Sequence, residues 1–330
     1  MKPLEYYWYH SNVLMWFLLP LSWLYCLITI VRKKLYQSKL IKSYRSQVPI
    51  VVVGNIVVGG SGKTPLLIAL CEHIKQRGFN PGVVSRGYGG NVVGVKQVQA
   101  IDTASLVGDE PLMISLRTDV PVVVGADRVA AVDSLLENNH CDIVLSDDGL
   151  QHYRMKRDVE FAVLDAKRKY GNGFCLPAGP LRERISRLDE VDAVIFNGGD
   201  ADALGYSYEL EIIGLTNLHT DEIKPLSALK GDAVHAVAGI GHPARFFDQL
   251  RKNNINVTEH AFPDHHHYQQ DDFSGWNHDC IIMTEKDAVK CRDFDLHNAW
   301  VLLVEAKMSK ALETRVDELL APLLKHRVSG

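Results

Sequence analysis

Two hydrophobic rhythms alternate along this chain from residue 48 onward. Short unbroken apolar runs rich in β-branched residues occur at Val48 to Val53, Gly82 to Ser85, Val120 to Val124, Asp142 to Ser146, Val159 to Leu164 and Ala193 to Phe196. Stretches with helical spacing lie between them, such as Pro65 to Arg77 and Arg128 to Asn138. A strand that is apolar on both faces belongs inside a parallel sheet covered by helices. Strand and helix in alternation predict an α/β fold with right-handed crossovers. The rhythm restarts near Leu226, with strands at Ala233 to Ala238, Asn256 to His260, Cys280 to Met283 and Trp300 to Val304, a helix near Pro243 to Lys252, and a closing helix. Three units are expected: a helical segment over 1–46, a main α/β domain over 47–225 ending in a connector from Asp200 to Pro225, and a smaller α/β domain over 226–330.

The first of these breaks the pattern. Val13 to Val31 carries no charge and approaches the roughly 20 apolar residues a spanning helix needs. Arg32, Lys33, Lys34, Lys39, Lys42 and Arg45 follow it, and Trp8, Trp16, Trp23 and Tyr25 are residue types of membrane interfaces. Lys2 and Glu5 offset each other ahead of the run and no small-residue cleavage site follows it, which argues against a signal peptide. Pro20 is expected to kink or end a helix. Two readings stand. In one, a helix lies in or just through a membrane leaflet, held by apolar burial and by basic residues near anionic headgroups, with the remainder of the chain on the cytoplasmic side. In the other, the run is a buried helix of a soluble core.

Composition narrows the function classes. The 330 residues are 46% hydrophobic and 23% charged, as in ordinary globular proteins, and the formal net charge of −4 gives nucleic-acid binding no global electrostatic support. The six cysteines form no CxxC pair, so zinc and redox motifs are absent and reduced thiols are expected.

The chemistry is concentrated after the first strand. Gly59-Gly60-Ser61-Gly62-Lys63-Thr64 sits between that strand and a helix and satisfies the end of the P-loop pattern, although Val57 occupies the position of its leading glycine. Backbone N–H groups from Val57 and Val58 through Thr64 and the helix N-terminus would face the phosphates of ATP. Lys63 adds a point charge, Thr64 offers a hydroxyl to Mg²⁺, and Pro65 falls in the first helical turn, where no N–H bond is lost. Asp142 to Ser146 then ends in Asp147-Asp148, a Walker-B arrangement that places a carboxylate for Mg²⁺ at a strand's carboxyl end. The loop and the acid pair together predict a P-loop NTPase-like sheet. The division of work between Asp147 and Asp148 stays open.

Further blocks carry a resemblance. VVVGNIVVGGSGKTP (51–65), VVSRGYGG (83–90), GDEP (108–111), DDGLQH (147–152), GNGFCLPAGPLRE (171–183), AGIGHPARFF (238–247), Asp264-His265 and MTEKDAVK (283–290) together resemble the tetraacyldisaccharide 4′-kinase family of Gram-negative bacteria. The resemblance implies ATP- and Mg²⁺-dependent phosphorylation of the 4′-hydroxyl of an acylated glucosamine disaccharide 1-phosphate, a lipid A precursor, at the cytoplasmic face of the inner membrane, with no obligate protein partner. The family's P-loop also lacks the leading glycine. Asp109 matches the family's proposed base and His265 the histidine thought to pair with it, with His266 and His267 as neighbouring alternatives. Arg86 and Tyr88 look like acceptor or phosphate contacts, Gln151 and His152 extend the acid loop toward the same cleft, and Arg182, Glu183 and Arg184 are candidates for the 1-phosphate, since arginine presents a fork to phosphate oxygens. Glu285-Lys286-Asp287 is placed near the nucleotide or the domain junction. A P-loop transferase for a soluble metabolite and a membrane-anchored regulatory ATPase are the competing classes. The apolar N-terminus argues against the first and the additional polar motifs against the second.

Overall fold

The computed structural model describes residues 4–10, 14–199, 205–220, 222–276 and 279–325. Its frame is a sheet of thirteen strands. They are β1 (Ile50–Gly54), β2 (Pro81–Ser85), β3 (Val95–Gln97), β4 (Val122–Gly125), β5 (Ile143–Asp147), β6 (Val159–Asp165), β7 (Ala193–Asn197), β8 (Tyr206–Asn217), β9 (Ile223–Lys224), β10 (Ala233–Ala238), β11 (Asn256–Ala261), β12 (Ile281–Thr284) and β13 (Ala299–Met308). Their spatial order is β11-β10-β12-β13-β8-β7-β6-β1-β5-β2-β4-β3, with β9 paired to β8. β1 lies between β5 and β6 and pairs parallel with both.

The apolar runs are buried on both faces for a simple reason. Alternate residues of a strand point to opposite sides. Val51 and Val53 therefore pack with Leu66, Leu67 and Leu70 of α3 (Lys63–Gln76) and with Leu112 and Ile114 of α5 (Asp109–Thr118). Ile50 and Val52 pack on the other face with Ala131, Val132 and Leu135 of α6 (Arg128–Asn138). The closing helix, Lys310–Lys325, joins the first of these cores through Leu312, Val316, Leu320 and Leu324, spaced to share one face. His73 of α3 and Asp317 of that helix, 2.9 Å apart, fasten the contact. The chain's last helix thus seals the core begun by its first strands.

Three expectations change. The stretch expected as a connector contains β8, a twelve-residue strand antiparallel to β13 and parallel to β7. Its residues 200–204 and 221 lie outside the described residues. Continuous apolar runs mark parallel interior strands, whereas β8 mixes polar and apolar positions, so that criterion passed over it. Pro20 does not end its helix: α2 runs from Leu14 to Gln37 with Pro20 inside. The helix is anchored to the body two residues on, where the Ser22 hydroxyl donates to the Cys175 carbonyl at 2.7 Å. Finally, Cys26 and Cys175 are paired as a disulfide, with Cα atoms 6.4 Å apart. They stand 149 residues apart in sequence, so only the fold reveals the proximity.

α2 buries a narrow seam and exposes a wide one. Met15, Leu19, Ser22 and Cys26 face the protein, while Trp16, Phe17, Trp23, Leu24, Leu27, Ile28 and Val31 are exposed. The alternative of a buried soluble-core helix does not describe this surface, because a soluble core helix buries its apolar residues. By length and composition Met15–Gln37 is apolar enough to cross a membrane.

Candidate active site

The carboxyl ends of β1, β5, β2 and β4 form one edge, because Val53 pairs with Asp147 and Ser85 pairs with Val124. Ligands of open α/β sheets bind at such an edge. β1 delivers the phosphate loop, β5 the acid pair, β2 the Arg86 loop and β4 the start of α6. They line a cleft of about 1430 Å³.

The phosphate loop turns into α3 through Gly62, whose φ of 85° is left-handed. A Cβ there would lie 2.1 Å from the Asn197 amide nitrogen and 2.4 Å from the Tyr208 hydroxyl. Those two side chains hold the loop from below: Asn197 donates to the Ser61 carbonyl at 3.2 Å and Tyr208 donates to that of Gly62. Asn55 donates to the Ser61 hydroxyl at 3.2 Å. The other flank is tied to the 171–183 loop, where the Val58 N–H donates to the Pro180 carbonyl at 2.9 Å and Val57 bridges Leu181. Val57 is buried, so a backbone bridge occupies the leading-glycine position. Gly62→Ala combines a strained φ with a collision, and should cost about 2–4 kcal/mol of stability and most ATP affinity. Thermal melts with and without ATP read both effects.

Above the loop, the two adjacent aspartates differ. Asp148, with a left-handed φ of 50°, turns outward to Arg182 at 2.7 Å and to Lys63 at 3.6 Å. Burial alone would raise its pKa, but Lys63 and Arg182 outweigh burial and hold it at about 2. Asp147 is buried and accepts from the Ser85 hydroxyl through Oδ2 at 2.9 Å, while its Oδ1 accepts no hydrogen bond among the described residues. Burial, then the charge of Glu110, raises its carboxyl to about 7 against the pull of Lys63. A buried, unpartnered carboxylate oxygen facing the phosphate loop fits a divalent cation, since burial without a partner is costly and a hard cation seeks oxygen. Thr64 and Asp148 line the same cleft.

Across the cleft, Gly108 at φ 93° turns the chain into α5, with Asp109 as its first residue. Asp109 is buried, and its Oδ2 meets Nδ1 of His265 at 3.0 Å. Burial would raise the Asp109 pKa, but His265 and Lys286 outweigh it and keep the carboxyl below its ordinary value. The same hydrogen bond raises the pKa of His265, against burial and Lys286. His265 has a left-handed φ of 60° and packs against the ring of Tyr88, 4.9 Å between centroids. An unfavoured backbone conformation at the pair is consistent with a functional constraint. The three-histidine run is resolved by position. His266 turns away to Asp272 at 3.1 Å and stacks on Phe262, and His267 is exposed.

Gln151, His152, Arg182, Arg86 and Tyr88 all line the cleft, and Arg184 is exposed outside it. Glu183 is buried and accepts from Gln151 at 2.8 Å and from Tyr153, so it sets Gln151 in place. Burial first, then Arg128 and Arg157, lowers His152 to about 4, leaving a neutral ring. Sequence reasoning missed Arg128, Glu110, Tyr25 and Arg32. Arg128 is buried and donates to the carbonyls of Gly125 at 3.1 Å and Asp147 at 3.1 Å. It bears no motif, and the capping aspartate before it was the available sign of a helix start at the cleft. Tyr25 and Arg32 arrive from α2, so the apolar helix is itself a wall of the cleft.

A phosphate loop, an orphaned acid at the same sheet edge and an Asp–His pair whose His265 lines the same cleft fit a P-loop phosphotransferase. The comparisons with known proteins agree. The family model of tetraacyldisaccharide-1-P 4′-kinase matches residues 14–321. The tetraacyldisaccharide 4′-kinase of Methylobacillus flagellatus is 44% identical over 98% of both chains. That of Hahella chejuensis is 46% identical, covering 99% of this chain and 98% of its own. The solved structure of LpxK from Aquifex aeolicus in complex with ATP superposes with a TM-score of 0.80 at 29% identity, covering 94% of this chain and all of that one. The chain belongs to the tetraacyldisaccharide 4′-kinase family.

Proposed function

We propose that this cleft transfers the γ-phosphoryl group of ATP to the 4′-hydroxyl of a tetraacylated disaccharide 1-phosphate, a step of lipid A biosynthesis, with Asp109 receiving the hydroxyl's proton. The observation that carries the assignment of roles is the hydrogen bond between buried Asp109 and His265, with His265 lining the same cleft as Lys63, Asp147 and Asp148. Lys63 and the loop N–H groups hold the donor's phosphates. Asp147, with Thr64 and Asp148, would hold Mg²⁺, which would supply positive charge against that built up during transfer. His265 fixes the rotamer of Asp109 and favours its ionised form. Arg182, Gln151, Arg86, Tyr88 and neutral His152 orient the sugar and its 1-phosphate. Asp109 and His265 come from opposite sides of residue 225 and meet at 3.0 Å, so the pair itself ties the two segments together. Mixing the protein with labelled ATP and the disaccharide 1-phosphate lipid tests the reading. A bis-phosphorylated lipid is expected, whereas no lipid product together with partner-stimulated ATP hydrolysis points to a regulatory ATPase.

We further propose that α2 docks on the cytoplasmic face of the inner membrane and brings the cleft to its lipid. The support is its exposed apolar face, followed by Arg32, Lys33, Lys34 and Lys39. Each leucine-sized side chain buried in lipid is worth about 1.5–3 kcal/mol. The triple change Leu24→Glu, Leu27→Glu, Ile28→Glu should therefore lower partitioning onto anionic vesicles by at least about 100-fold. Flotation assays measure this, and unchanged partitioning excludes the docking face.

A further inference from the structure

Lys286 has no role in the reading above, yet it stands at the centre of the Asp109–His265 pair. It is the second residue of a helix, Glu285–Cys291, that begins at a Thr284 cap. Its ammonium lies 3.0 Å from Glu110 Oε1, 3.1 Å from Asp264 Oδ1, 3.4 Å from His265 Nε2 and 4.0 Å from Asp109 Oδ2. The side chain is only 15% exposed. Burial would strip its proton, but the carboxylates of Glu110, Asp109 and Asp264 outweigh burial and keep it charged.

An ammonium donates three hydrogen bonds and accepts none. Toward His265 it can only give a proton, so Nε2 must present a lone pair. The ring's single proton then sits on Nδ1 and is donated to Asp109 Oδ2 at 3.0 Å. This tautomer leaves Asp109 unprotonated and held by a neutral partner, and Lys286 opposes the second proton that the Asp109 hydrogen bond favours on the ring. The doubly protonated ring would turn an N–H toward the ammonium, a like-charge contact that Lys286 makes unfavourable. The same side chain joins Glu110, on the helix bearing Asp109, to Asp264, on the loop bearing His265.

We propose that Lys286 is a positioning residue of the phosphoryl transfer, which selects the neutral Nδ1–H form of His265 and pins the His265 loop to the helix that carries Asp109. This rests on the assignment of Asp109 as proton acceptor. Around His265 the facing groups are Asp109, Lys286, Asp264 with Oδ1 3.9 Å from Nε2, and the Tyr88 ring. Asp109 is faced by His265 and Lys286 and feels the charge of Lys290. Removing the ammonium leaves Asp264 next to Nε2 with nothing to oppose it, so the ring takes its second proton at higher pH. Imidazolium then holds Asp109 more tightly and weakens it as a base.

The test is the kcat–pH profile of the full chain with the lipid acceptor in detergent micelles. Lys286→Met should lower kcat about 10- to 100-fold at pH 7, less than the loss of a positioned base itself because Lys286 acts through His265, with little change in the KM for ATP. Its acid limb should move up by about one pH unit, so that part of the loss recovers at pH 9. Lys286→Arg, which keeps a charged donor, should restore the wild-type profile. A loss that is uniform across pH, or wild-type kcat in Lys286→Met, overturns the proposal. Nitrogen NMR of histidine-labelled wild type, with His265 assigned from a His265→Gln spectrum, gives a second reading that needs no variant at Lys286. Nε2 should be the unprotonated nitrogen, and a protonated Nε2 at neutral pH overturns the proposal. Asp109→Asn separates the two levels. If it retains kcat, the underlying pair reading fails; if it is inactive while Lys286→Met keeps the wild-type profile, only the role of Lys286 fails.

Discussion

Asp147→Asn should yield a protein that is both nearly inactive and more stable than wild type when free of metal. Asp147 would hold the cation that offsets charge on the transferring phosphoryl group, and losing about 4 kcal/mol of that stabilisation is roughly 10³-fold in kcat. The stability gain follows from the same carboxyl. Its pKa in the fold is raised to about 7 by burial and by Glu110. A raised carboxyl favours the protonated fold. Its contribution is harmless below the unfolded value near 4 and becomes increasingly destabilising as pH rises through about 7. Asparagine does not titrate. The metal-free variant should melt close to wild type at pH 4 and higher than wild type at pH 8, by an amount equivalent to about 2–4 kcal/mol. Thermal melts in chelator at the two pH values check the sign. A variant no more stable at pH 8 than at pH 4, relative to wild type, would falsify the strained-acid account.

Asp109→Asn is the second large effect. A positioned base contributes about 10²–10⁴-fold, and asparagine keeps the shape while removing the charge. kcat should fall by roughly that factor with the KM for ATP nearly unchanged, because the side-chain partners of Asp109 are His265 and Lys286 and not the phosphate loop. The pair makes a sharper statement than either residue alone. Groups that act as a unit are not additive. Asp109→Ala with His265→Ala should be about as slow as Asp109→Ala by itself. Multiplied losses in the double variant would mean that the two side chains work separately, despite their 3.0 Å contact.

Much of the site could be read before any coordinates. The strand before Gly59, the helix after Thr64 and the acid pair closing the run at Asp147 are local patterns, and local patterns survive in sequence because they follow from backbone geometry. His265 was favoured over His266 and His267 only by the aspartate before it. In the fold, His266 is turned into an aromatic cluster with Phe262 and Tyr268, and His265 meets Asp109. Arg128 was not singled out, and Lys286 was placed only near the nucleotide or the domain junction, because neither stands beside the residues it serves. Lys286 lies 176 positions from Glu110 and Arg128 lies 19 from Asp147, and no spacing rule covers such distances.

The sequence by itself determined the class of fold, the donor loop and the apolar helix at the start of the chain, since each is written in the periodicity or the chemistry of neighbouring residues. Tertiary structure alone decided how these act together. It drew the expected connector into the sheet as β8, bonded Cys26 of the apolar helix to Cys175 beside the phosphate loop's supporting strap, and placed Tyr25 and Arg32 in the cleft. It also gave the two neighbouring aspartates opposite protonation behaviour, one buried beside Glu110 and the other turned to Lys63 and Arg182. The physical reason is common to all of these. Burial and electrostatic partnership depend on which distant segments the fold brings within a few ångströms, and the order of residues along the chain does not record that distance.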